Sequence, residues 1–154
     1  MRGKLKCWLK PIGIPRSEVN LSERFDQDLI RVDFATIKTI PDVKDVIFGY
    51  RIDDGRLLYK AVCVSLPTKV TGKEIAIDRW RKGWPVYVMA ENLNPDYGRS
   101  WMEYEVYPWK LYRDYKNLNP DDTTKLGSVQ YGAGAVRISE GFASCITKAM
   151  EGLD

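Results

Sequence analysis

Two β-rich runs, VIFGYRI (46–52) and RLLYKAVCV (56–64), face one another across Asp53-Asp54-Gly55. Asp-Gly between such runs supplies the positive φ angles that a tight hairpin turn demands. A chain with this signal near its centre needs further strands to pair with the hairpin and further apolar surface to cover it. KLKCWLK (4–10) alternates with period two, Leu5, Cys7 and Leu9 on one side, Lys4, Lys6, Trp8 and Lys10 on the other. That is the pattern of a half-buried strand, ended by Pro11, Gly13 and Pro15. LIRVDFATIK (29–38) alternates in the same way. A helix over 22–39 would also collect Phe25, Leu29, Val32 and Ile40 on one face, but strict alternation and β-branched content favour a strand. A helical turn or two is expected near Ser22.

Residues 66–73, with Pro67 and Gly72, read as a loop, and 74–78 as a short strand leading into Arg79-Trp80-Arg81-Lys82-Gly83. One phrase is then written twice, GWPVYVMAENLNPD (83–96) and PWKLYRDYKNLNPD (108–121), so that Trp84 matches Trp109 and Asn92 to Asp96 recur as Asn117 to Asp121. Asn-Pro-Asp has the chemistry of a type I turn, and the repeat predicts two equivalent strand-plus-turn units. Two copies are too few for a solenoid. Met102, Tyr104 and Val106 alternate between the copies as another strand, and 128–137 reads as a strand relieved by glycines. Ser139 caps a C-terminal helix with an apolar stripe of Phe142, Ile146, Ala149, Met150 and Leu153. About eight strands and one amphipathic helix predict a mainly β (α+β) fold, a small β-barrel or curled antiparallel sheet with that helix across one end or edge. No linker divides residues 1–154, so a single globular domain is expected.

Composition narrows the function. The chain has no histidine, which removes the usual general base near neutral pH and the commonest metal ligand. Three distant cysteines, Cys7, Cys63 and Cys145, lack any Cys-x-x-Cys spacing and read as buried free thiols. No catalytic residue, metal site or cofactor is assigned. An enzyme would have to rest on Glu103, Glu105 or Asp78, and Glu-x-Glu on an outward strand face is more simply a solubility device. Gly132-Ala133-Gly134 lacks the third glycine and the βαβ setting of a dinucleotide loop. No apolar run is long enough to span a membrane, and the basic N-terminus has no signal-peptide core, so a cytoplasmic protein is expected.

Charge and aromatics point to a partner. Residues 1–16 carry five basic groups and no acid, and 55–90 carry seven basic and two acidic, against net negative charge elsewhere. Ten of the eighteen aromatic residues lie between Trp80 and Tyr115, interleaved with Arg81, Lys82, Arg99, Lys110, Arg113 and Lys116. Single-stranded nucleic acid is held by such a combination, bases stacking on rings while cations neutralise phosphates. The candidate surface is Lys4, Lys6, Trp8 and Lys10 on the first strand with Arg79, Trp80, Arg81, Lys82 and Trp84. A non-catalytic nucleic-acid-binding protein, single-stranded DNA or RNA favoured, is one reading. The other is a structural or assembly subunit that self-associates or packs on a partner protein through its aromatics and C-terminal helix, because interfaces also favour Trp, Tyr and Arg.

Overall fold

A computed structural model describes residues 5–12, 25–35, 40–52, 54–97, 104–126 and 135–152, the side chains of Trp80 and Tyr97 excepted. The central hairpin forms as its turn predicts. β3 (Val46–Arg51) and β4 (Leu57–Cys63) pair antiparallel, with Ile47 opposite Ala61 and Gly49 opposite Tyr59. Gly55 turns the chain with φ of 77°. Gly49 answers a different need: a Cβ there would run into the Tyr59 ring, which lies across it and stacks on Phe25.

Around the hairpin, β1 (Cys7–Ile12), β2 (Leu29–Phe34), β5 (Thr68–Lys69), β6 (Val86–Asn92) and β7 (Val136–Ile138) complete one curled sheet, a half-barrel. Its order is β2-β6-β4-β3-β1-β7, with β5 a short additional partner of β6. The antiparallel expectation holds for every pair but one. β1 runs parallel to β3, Leu9 opposite Phe48, because the chain crosses to the far edge and lays down β2 before it returns.

Both faces of the sheet are covered. Trp8, Ile30, Phe34, Ile47, Leu58, Tyr59 and Val88, all from strands, form one core cluster with Phe25. The second joins Leu9, Phe48, Tyr50 and Leu57 to α3 (Glu140–Met150), the expected C-terminal helix. Phe142, Ile146 and Met150 of its stripe are buried, and the Ser139 hydroxyl accepts the Phe142 N–H at 3.1 Å as a cap. Leu153 lies outside the described residues, as do Asp53, the turn expected near Ser22, Met102, Glu103 and the glycine segment 132–134.

Three expected strands take other forms. Residues 74–78 fall largely within α1 (Gly72–Ile77), whose capping box is complete: the Thr71 hydroxyl accepts from the Glu74 N–H and the Glu74 carboxylate from the Thr71 N–H. That T-x-x-E signal outweighs the β-branched Ile-Ala-Ile. The second copy of the repeated phrase is helical, α2 (Pro108–Leu118), with Pro108 at its first turn and Leu111 and Tyr115 one turn apart against the α3 side. Residues 104–107 are extended without being a strand, although Tyr104 and Val106 are buried alternately and the Val106 carbonyl accepts the Leu57 N–H.

The repeat is therefore one of letters. In the first copy Asn92 and Asn94 are buried, donating to the carbonyls of Phe25, Gln27 and Leu58. In the second, Asn119 is exposed and ends α2, its side chain donating to the Tyr115 carbonyl. Asp122 then ties α2 to α3, accepting from the Tyr115 and Ser139 hydroxyls at 2.7 Å each. Burial opposes its ionisation, but hydrogen bonds from Tyr115, Ser139 and Thr124 outweigh burial and lower its pKa to about 2. The stability this contributes is present above the ordinary carboxylate range and is lost as pH falls through about 2. Gly141 leaves room for this knot, since a Cβ there would meet the Tyr115 hydroxyl.

Candidate nucleic-acid interface

Two residues of the expected surface on the first strand, Trp8 and Lys10, lie inside the protein. Strand β1 sits between β3 and β7 with a core cluster on each side, so its polar-looking face is not a surface. Trp8 is 6% exposed, and its indole N–H donates to Asp45 at 3.0 Å. Asp45, itself buried, also accepts the backbone N–H groups of Lys6 and Asp42. Lys10 is 2% exposed; its ammonium donates to the Pro11 carbonyl and lies 4.9 Å from the Trp84 ring centre and 5.3 Å from that of Phe34. Lys6 is half-buried beside Asp42, and Lys4 lies outside the described residues. The alternation of 4–10 marked a strand, but the strand formed is Cys7–Ile12, and Pro11 lies within it opposite Tyr50 rather than ending it. The alternation could not reveal β7, which arrives from more than a hundred residues away.

Several aromatic rings are already covered by the protein's own cations. The Arg31 guanidinium lies 3.6 Å from the Tyr87 ring centre, Arg137 lies over Trp8, Lys110 over Tyr107 and Lys60 over Phe48. Each such contact uses a ring face that a base would need. Trp84 is half-buried beneath Lys10. Trp109, in the second copy, packs against the helix-side core and donates to the Tyr50 hydroxyl at 3.1 Å.

The second half is different. Between β5 and β6 the chain makes an excursion through α1 and a 3-10 turn, Arg79–Gly83. Its base is closed like a hairpin stem: Lys69 pairs with Val86, and the Val70 N–H donates to the Pro85 carbonyl. α1 buries none of its residues. Ionic contacts hold the excursion instead. Arg31 on β2 reaches Glu74 at 2.9 Å and Asp33 at 3.1 Å, while Arg81 meets Asp78 at 3.3 Å and Asp33 at 3.7 Å. The hydrogen bond from the Thr71 backbone, then that from Arg31, lowers the Glu74 pKa.

Both acids of the excursion are thus committed to arginines, and Arg81 is not available as a free phosphate ligand. Lys69, Lys73, Arg79 and Lys82 are exposed, and none of the four is in an ion pair among the described residues. Arg79 and Lys82 were legible in the sequence. Lys69 and Lys73 were missed because their segment read as an uncharacterised loop; the capping box at Thr71 was the signal that places Lys73 on a helix.

The remaining chemistry is sparse. Burial raises the pKa of all three thiols, Cys7, Cys63 and Cys145, holding them protonated at neutral pH. Among the described residues no group of His, Cys, Asp and Glu is placed to hold a metal, and no helix is long and apolar enough to cross a membrane. Glu105 is exposed and lies 3.7 Å from Arg56. No protein-family model matches the chain, nor does any curated protein or solved structure.

Proposed function

We propose that this is a non-catalytic nucleic-acid-binding protein that grips the sugar–phosphate backbone, of a single strand by preference, through the excursion between β5 and β6. The supporting observation is the excursion's charge balance. Its two acids are occupied by Arg31 and Arg81, while Lys69 on β5, Lys73 on α1 and Arg79 and Lys82 on the 3-10 turn face solvent, and α1 buries none of its residues. Clustered cations of this kind raise the local concentration of a polyanion and release its counterions on contact. Three free, protonated thiols suit a reducing compartment, and we place its work in the cytoplasm.

The test is fluorescence anisotropy of labelled single- and double-stranded oligonucleotides across a range of salt concentrations. Four phosphate contacts give a log–log salt slope of about −3 for a single strand. An absence of saturable binding at low salt would overturn the reading. The structural or assembly reading then leads, favoured by exposed Leu66, Ile77 and Leu118, and sedimentation would show association that persists in high salt.

A further inference from the structure

Ile77, the last residue of α1, is 82% exposed. Two of the excursion's cations precede it, Lys69 and Lys73, and two follow it, Arg79 and Lys82. A capped helix that buries no side chain gains nothing for folding from an isoleucine held in solvent at its end. Among the described rings, Trp8 is buried, Trp84 lies beneath Lys10 and Tyr87 beneath Arg31. Among the described side chains of the excursion, Ile77 is the large hydrophobic that stands in solvent, with cations before and after it in the chain.

We infer that Ile77 packs against the face of an unstacked base while the surrounding cations hold the flanking phosphates, so that the excursion selects single-stranded nucleic acid over duplex. This rests on the nucleic-acid reading above and adds a contact to bases. Charge complementarity selects a polyanion as occupant, and geometry selects its form. In a duplex, paired bases keep their faces stacked out of reach and present only their edges. A single strand offers the face of every base, and an apolar contact to it is indifferent to sequence.

Three labelled probes separate the contributions: an oligothymidylate, an abasic strand of the same length and a duplex, each titrated at several salt concentrations. The native protein should bind the thymidylate strand about five- to tenfold more tightly than the abasic strand, the equivalent of burying part of one aliphatic side chain. Ile77→Ala should abolish that difference and leave the salt slope unchanged, and Ile77→Trp should enlarge it. Because the side chain stands in solvent, both variants should keep the native circular dichroism spectrum and thermal midpoint. Equal affinity of the native protein for the two strands, with a steep salt slope, would overturn the base contact alone. Retention of the preference by Ile77→Ala would do the same, whereas failure to bind either strand would remove the phosphate reading and this inference together.

Discussion

Strand β1 and the excursion between β5 and β6 both set lysine or arginine close to tryptophan, yet one is sealed inside the molecule and the other stands outside it. In β1, Trp8 donates to Asp45 and the Lys10 ammonium is held against Trp84 and Phe34. In the excursion, Lys73, Arg79 and Lys82 face solvent and α1 buries nothing. The difference lies in the neighbours. β1 has a strand on each edge and a core cluster on each face, whereas α1 is tied down through Glu74 and Arg31. A cation beside an aromatic ring is therefore no sign of a ligand until the remaining contacts of that ring are known.

Substitutions can break or sharpen this contrast. Trp8→Ala should destabilise the fold most, by about 3–5 kcal/mol in urea denaturation, because it empties a core position. An unchanged midpoint would mean that β1 is not part of the core. Asp45→Ala removes the buried acceptor of three N–H donors and should cost about 2–3 kcal/mol by the same measurement. Arg31→Ala should cost the whole fold about 1–2 kcal/mol, because buried Asp33 loses one of its charged partners and keeps Arg81. It should nevertheless speed amide exchange over 72–83 while β3 and β4 stay protected; uniform exchange would show that the excursion is held by something other than its ion pairs. The double change Lys73→Gln, Lys82→Gln should leave stability within about 0.5 kcal/mol. It should reduce the magnitude of the salt slope for a single strand by about 1.4, and an unchanged slope would move the phosphate contacts elsewhere.

Local signals in the sequence carried most of the fold. The Asp-Gly turn, the alternation of β1 and β2, and the Ser139 cap with its stripe all mark elements that the structure contains. The repeated Asn-Leu-Asn-Pro-Asp was misleading, because five shared letters have different surroundings. Val86-Tyr87-Val88 leads the first copy out of a strand, and Pro108 with Leu111 and Tyr115 leads the second out of a helix. Burial at the candidate site was less legible. Whether Lys10 meets solvent depends on Phe34 and Trp84, residues distant in sequence, and no local period encodes that. What the sequence did contain was the excess of positive charge over 55–90, and the structure exposes part of it, Lys73, Arg79 and Lys82, along α1 and the 3-10 turn that follows it.

The position of β1 between β3 and β7 also has a consequence in time. Its neighbours β3 and β7 begin 34 and 124 residues beyond Ile12. At roughly 5–20 residues per second, a ribosome takes about 6–25 s to deliver the second of them. Throughout that delay an early strand carrying Cys7, Trp8 and Leu9 has an open edge while its eventual neighbour is still being made. Lys6 and Lys10 give it charge for the interval, in the manner of gatekeepers flanking an aggregation-prone segment. Once folded, Lys10 is buried and no longer has that task; its alternation with the apolar residues suits the nascent chain as well as the finished one.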